Sequence, residues 1–163
     1  MPTETITVDL EQPAHGRALL ELLNEYARHP MGGGRPLPAF TRAKLVNTLR
    51  ARPDFHGVLA RVDGRPAGLI LAFEGFSTFA CQPLLNLHDV VVTEAQRGKG
   101  LAQAMLAHAE SLAKELGCCK LTLEVLDGNG PARRAYDRFG FAPYELDPDQ
   151  GKALFWEKKI KVR

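Results

Sequence analysis

Three groups of residues in this chain have the types and spacing to do chemistry. The first is Arg97-Gly98-Lys99-Gly100, a basic, glycine-rich turn between a valine-rich run and a long helical pattern. Free N–H groups at a helix start attract an anion, and glycine lets the backbone approach it closely. Each such end effect contributes roughly 0.3–1 kcal/mol, so several together can hold a pyrophosphate. The second runs from Asn129 to Tyr136. A tyrosine phenol can protonate a leaving group, and an asparagine two residues before a proline suits a helix N-cap that can also face a ligand. The third comprises His88, Asp89 and Glu124, the candidate bases. Adjacent strand residues point to opposite faces, so His88 and Asp89 are not expected to line one side together. Imidazole titrates near neutral pH and takes a proton directly or through water, which puts His88 ahead of Glu124, and Asp89 behind both.

Those residues need elements to hold them. Ile6, Val8 and Leu10 alternate with polar residues and suggest an opening strand. Residues 13–29, with Leu19, Leu22, Leu23 and Tyr26 at spacings of three and four, predict a helix, and 39–50 a second, shorter one. Between them PMGGGRPLP favours a loop. Residues 56–62 and 66–76 flank Asp63-Gly64 and predict a hairpin. Residues 86–93 predict a strand and 100–116 the clearest helix, striped by Met105, Ala109, Leu112 and Leu116 and ended by Gly117. A strand over 120–126, a short helix over 131–139 stopped at Gly140, and a last strand over 154–161 complete the chain. The order β-α-α-β-β-β-α-β-α-β-β predicts an α/β (α+β) fold. Its mixed, mostly antiparallel sheet carries one parallel pair made by the long crossover. No second core is visible, so residues 1–163 are expected to form one domain.

Lys plus Arg number 21 against 19 Asp plus Glu, a formal charge of +2 that argues for neither a nucleic-acid nor a membrane-surface partner. Cys81, Cys118 and Cys119 fit no disulfide framework, and Cys and His lack metal-ligand spacing, so no metal is expected. Cys118 and Cys119 are expected in the core, and His15, His29, His56 and His108 at the surface. The opening MPTETITVDLEQ carries acids where a secretory signal would be basic, and no apolar run suits a membrane helix. A cytoplasmic location is the expectation.

Two better-known phosphate loops are absent, the nucleotide-hydrolase G-x-x-x-x-G-K-[ST] and the dinucleotide G-x-G-x-x-G. Instead Arg97-Gly98-Lys99-Gly100-Leu101-Ala102 resembles the R/Q-x-x-G-x-G/A signature of the GNAT acyltransferase superfamily. Downstream, Asn129-Gly130-Pro131-Ala132-Arg133-Arg134-Ala135-Tyr136 followed by Phe139-Gly140-Phe141 resembles that family's N-x-x-A-x-x-x-Y…GF segment. Both occur in order, with a helix and a strand between, and the resemblance covers residues 70–144 best.

The resemblance implies a fold with about four helices and two central parallel strands splayed to admit acetyl-CoA as co-substrate. Pyrophosphate would rest on the amides of Arg97, Gly98, Lys99, Gly100, Leu101 and Ala102. The pantetheine arm would pair with backbone at Val90, Val91 and Val92. Asn129, Ala132 and Arg133 would touch the cofactor, and Tyr136 would face the thioester sulfur. It further implies an N-acetyltransferase acting by direct attack of a small-molecule primary amine, and it allows a homodimer. A protein or peptide N-acetyltransferase and a non-catalytic acyl-CoA sensor are the alternatives. In polyamine-acetylating relatives the position nine before the motif arginine is glutamate; here it is His88.

Overall fold

The computed structural model describes residues 2–161, in two compact units, Met1–Leu126 and Asp127–Arg163. Each is described by itself.

In the first unit, β1 (Thr3–Thr7), β2 (Phe55–Val62), β3 (Arg65–Ser77), β4 (Gln82–Val92) and β5 (Leu121–Leu123) form one sheet in the order β1-β2-β3-β4-β5. Neighbours from β1 to β4 are antiparallel, and β4 and β5 are parallel. The β2–β3 turn has Asp63 at φ 53° and Gly64 at φ 78°, the two positive values that a tight primed hairpin turn requires. Helix α1 (Pro13–Arg28) buries Leu19, Leu22 and Leu23 against Leu59, Leu69, Leu71 and Val91 on one face of the sheet. Helix α2 (Ala39–Arg50) adds Leu49 to the same cluster.

The other face carries α3 (Leu101–Glu115), the crossover that makes β4 and β5 parallel. Met105 and Leu106 are fully buried there, and a Cβ on Gly68 would come 2.7 Å from the Met105 Sδ. The apolar stripe differs from the expected one: Leu101, Leu106 and Ala113 join Met105 and Ala109, whereas Leu112 is only half-buried. The helix turns a second, adjacent row of apolar residues towards the sheet, which is wider than one stripe.

The second unit holds α4 (Gly130–Phe139) and a 3₁₀ turn at Pro148–Gln150. Asn129 caps α4 by accepting the Ala132 N–H at 3.2 Å, and Gly140 ends it at φ 113°. The expected strand over 154–161 is absent among the described residues of that unit. A strand exists by its ladder, and beyond the bond from the Ala153 N–H to the Tyr144 carbonyl (2.8 Å) this segment forms none. Val162 and Arg163, the end of the basic tail, lie outside the described residues.

The remaining boundaries fall within a few residues of expectation, except at β4, which starts four residues earlier at Gln82, and at β5, which is shortened to Leu121–Leu123.

Candidate active site

The parallel pair is short and then opens. Leu85, Asn86 and Leu87 pair with Leu121, Thr122 and Leu123, after which β4 continues to Val92 with a strand partner only on its β3 side. Beyond Leu87 the edge of β4 away from β3, including Val90, Val91 and Val92, has no strand partner among the described residues. That edge can accept an extended chain by strand-like pairing. Glu124 lies just past the end of β5 and is exposed.

The fork coincides with a β-bulge. Leu71 pairs with Asp89 and Ala72 with Leu87, which leaves His88 as the extra residue. Cross-strand partners share a face, so Leu87 lies on the α3 face with Ala72, while Asp89 and Val91 lie on the α1 face with Leu71 and Leu69. His88 meets Phe73, an α1-face residue, with ring centroids 5.7 Å apart. The expectation that His88 and Asp89 cannot line one side together is therefore corrected. Strict alternation fails because the bulge inserts a residue between the two ladder positions.

Asp89 is half-buried among this set, and burial raises its carboxyl above the ordinary range while the adjacent His88 works the other way. Tyr26, from the last turn of α1, has its phenol pushed up by burial and then by the Asp89 charge. Tyr26 and Phe73 had only an apolar-stripe or strand signature in the sequence. Their place beside the candidate bases depends on the bulge, which no local pattern announces.

At the far end of β4 the chain passes through a short 3₁₀ turn (Glu94–Gln96) into the Arg97–Gly100 turn. Gly98 and Gly100 adopt φ of 73° and 82°, and a Cβ at either would meet nothing within 4 Å. No side chain caps α3, and none of the amides of Gly98, Lys99, Gly100, Leu101 and Ala102 has an acceptor among the described residues. Unpaired donors at a helix start suit a phosphate. The Arg97 Nε donates to the Val92 carbonyl at 3.3 Å, so this arginine also ties the turn to the strand end.

In the second unit, Tyr136 is half-buried on α4 and meets the Phe141 ring at 5.9 Å, edge to face. Asn129 uses its side-chain oxygen on the cap, and Arg133 pairs with the Asp127 carboxylate at 3.0 Å as well as its carbonyl. Ala132 is half-buried in the first turn of α4.

The other histidines are partnered rather than free at the surface. His15 is buried and accepts the Asp9 N–H at 2.9 Å, and His29 accepts that of Met31 at 3.1 Å. His56 pairs with Glu74 at 2.9 Å, and His108 binds the hydroxyls of Thr7 and Thr5. Cys119 is exposed and Cys118 half-buried, contrary to expectation, because both fall before β5 begins. Among the described residues no group of three His, Cys, Asp or Glu is placed to hold a metal, and no helix is long and apolar enough to cross a membrane.

Residues 21–141 match the acetyltransferase (GNAT) family model. The chain belongs to the GNAT acetyltransferase family. It is similar to streptothricin acetyltransferase of Streptomyces lavendulae, 39% identical over 90 residues, a match covering 55% of this chain and 46% of that protein. Thialysine N-epsilon-acetyltransferase of Caenorhabditis elegans is 29% identical over 140 residues, covering 82% of this chain and 79% of that one. The solved structure of aminoglycoside N-acetyltransferase AAC(6')-Iy in complex with CoA shares the fold, with a TM-score of 0.74 at 16% identity over 98% of this chain and 96% of that one. The GNAT protein is thus an acyltransferase with a mixed five-stranded sheet.

Proposed function

We propose that this enzyme transfers the acetyl group of acetyl-CoA to a primary amine of a small molecule by direct attack in a ternary complex. The observation that carries the reading is the coincidence of a free β4 edge with an uncapped, glycine-rich helix start at its end. An extended pantetheine arm suits the first, and a pyrophosphate suits the second. Streptothricin, thialysine and aminoglycosides, named for three of the relatives, are small amine-bearing molecules, which supports this class, while other relatives are named for the alanine of a ribosomal protein.

The amine nitrogen attacks the thioester carbonyl carbon, a C–N bond forms and the C–S bond breaks. The proton lost by the amine goes to His88, with Glu124 as the alternative base, and the departing thiolate takes a proton from Tyr136. His88 is exposed at the fork and carries a titratable nitrogen, which supports its role. The assignment of Tyr136 rests on the motif spacing. Asn129, Ala132 and Arg133 are proposed as further cofactor contacts on the same ground, the first two compatible with capping. A cytoplasmic location and a homodimer remain part of the same proposal.

Calorimetry with acetyl-CoA, followed by thiol release across a panel of amines, tests it. Saturable acetyl-CoA binding with amine-dependent thiol release is expected. Binding without release to any amine would favour the sensor, and release only with peptides would favour a protein acetyltransferase.

A further inference from the structure

We infer that the side-chain hydrogen bond between Asn86 and Thr122 is a clasp that sets the point where β4 and β5 part, and so fixes the register of the acyl donor along the β4 edge relative to His88. Asn86 and Thr122 are in this sense positioning residues. The inference deepens the proposed function and rests on it for the course of the pantetheine arm.

The join between the two strands is short. Leu85 pairs with Leu121, Asn86 with Thr122 and Leu87 with Leu123, and the fork opens at the next residue. The end of a ladder opens most readily, because its last pair is held from one side only. The Leu85 N–H donates to the Lys120 carbonyl at 3.0 Å, so alternation turns the Asn86 backbone away from β5 and towards β3. At this middle pair the side chain supplies the tie instead. The Asn86 Nδ2 donates to the Thr122 Oγ1 at 3.0 Å, one pair before the strands part.

The bond lies on the face that carries the candidate base. Leu85 and Leu87 are buried on the α3 face, so Asn86 between them is on the α1 face with its β3 partner Phe73. Phe73 is also the residue whose ring meets His88 at 5.7 Å. Thr122, Asn86, Phe73 and His88 thus follow one another across a single face. An apolar pair would fill the same half-buried position, but only a hydrogen bond sets both a distance and an angle between the strands.

An extended arm that pairs with β4 takes whatever edge β5 leaves to it. If the Leu87 pair opens, that edge begins two residues earlier. The arm can then slip by one strand repeat, about 6–7 Å, which carries the thioester away from His88. With the clasp closed the edge begins at a fixed residue, and the thioester is held in one register.

The test compares Thr122→Val, Asn86→Ala, their double variant and Thr122→Ser in the whole enzyme, with melting curves to show that each is folded. Valine keeps the branched shape without the hydroxyl, and serine keeps the hydroxyl. The readouts are kcat at saturating acetyl-CoA and amine, acetyl-CoA affinity by calorimetry, and hydrogen exchange at the Leu85 and Leu87 amides. Thr122→Val and Asn86→Ala should each lower kcat about tenfold or more, with acetyl-CoA affinity within about threefold of wild type. The double variant should be no worse than either single one, since the same bond is lost in all three. Thr122→Ser should keep kcat within about threefold of wild type. Exchange should quicken about tenfold in Thr122→Val and not in Thr122→Ser. A kcat within about twofold of wild type in both single variants, effects that multiply in the double variant, or equal losses in Thr122→Val and Thr122→Ser overturn the inference while the transferase reading stands. Unchanged exchange in Thr122→Val overturns the clasp whether or not the enzyme turns over. Quickened exchange in a protein that binds acetyl-CoA but transfers acetyl to no amine supports the clasp and overturns the transferase reading instead.

Discussion

The His88 imidazole meets the Phe73 ring edge-on, with centroids 5.7 Å apart and ring planes at 81°. Phe73 in turn packs against Phe55 at 5.8 Å and carries the Arg52 guanidinium on one face. The ladder leaves His88 unpaired, and the Phe73 ring gives its exposed side chain a packing contact. The ring edge is the positive rim of an aromatic, so an edge-to-face contact of this kind is favourable. The bulge and the aromatic contact together place a titratable group where the parallel strands part.

Phosphate binding at the α3 start can be separated from general charge. Gly100→Pro removes one amide donor and forbids the φ of 82°, so CoA affinity should fall about tenfold or more, as expected from losing several end effects of 0.3–1 kcal/mol each. Arg97→Ala removes an exposed charge and one bond to the Val92 carbonyl, and should weaken CoA less. Calorimetry on both variants, with melting curves to show that each is folded, checks the order. Equal affinity in a folded Gly100→Pro protein would remove the pyrophosphate from this turn.

Tyr136→Phe deletes one hydroxyl and keeps the ring that meets Phe141. CoA binding should therefore survive while kcat falls by about 10²–10⁴-fold, the usual worth of general acid catalysis. A kcat within about threefold of wild type would make the phenol structural or the thiolate a good enough leaving group unaided.

Asp89 carries a stability cost whose pH dependence has a definite sign. Burial raises its folded pKa above the unfolded value, near 3.9, so between the two the folded state binds more protons. Stability from this residue is then full below the unfolded pKa and declines as pH rises through the folded one. Asp89→Asn should melt higher than wild type at neutral pH, with the gap closing as pH drops towards about 4. Differential scanning calorimetry from pH 4 to 8 reads it directly. A gap that widens on acidification would mean that the carboxylate is stabilised, not strained, by its surroundings.

The loop after α1 has one glycine whose surroundings leave no room for a Cβ and two, Gly33 at φ 111° and Gly34 at φ 75°, that are restricted by backbone conformation rather than by space. A Cβ on Gly32 would run into the Tyr26 carbonyl oxygen and press on the Ala27 backbone, while Gly33 and Gly34 face open space. Gly32→Ala should cost about 1–3 kcal/mol through forced backbone movement, lowering Tm by about 2–4 °C per kcal/mol. An unaltered Tm would mean that the loop re-forms without disturbing α1.

Much of this was legible because the signals were local. Asp63-Gly64, Gly117 and Gly140 marked positive φ at turns and helix ends, and all three sites adopt it. The 97–102 turn announced a helix start able to receive an anion through its glycines and basic residues. What escaped was non-local. Whether His88 and Asp89 share a face depends on which β3 residues pair with them, and Val90–Val92 give no hint of a skipped partner. Tyr26 looked like one more apolar contact of α1, since only the fold brings it near Asp89. The last strand was read from residues 154–161 alone, whereas a strand requires a partner that alternation cannot supply.

The base is best tested through the acidic limb of the kcat/KM profile. Two groups can produce that limb: a protein base that must be unprotonated, and the acceptor amine, which must also be neutral to attack. They separate when acceptors of different amine pKa are compared, because a limb owned by the substrate moves with the acceptor and a limb owned by the protein stays put. With His88 as base, a fixed limb should be present, and His88→Gln should abolish it and lower kcat/KM by about 10²-fold or more. Glutamine keeps polarity and approximate size but cannot titrate, so the Phe73 contact and CoA affinity should change little. Glu124→Gln, on the exposed end of the other arm, should leave the limb in place. If instead His88→Gln keeps both rate and profile while Glu124→Gln loses them, the proton leaves on the β5 side of the fork. If neither variant changes the profile, loss of water around the amine in the fork is enough to release the proton.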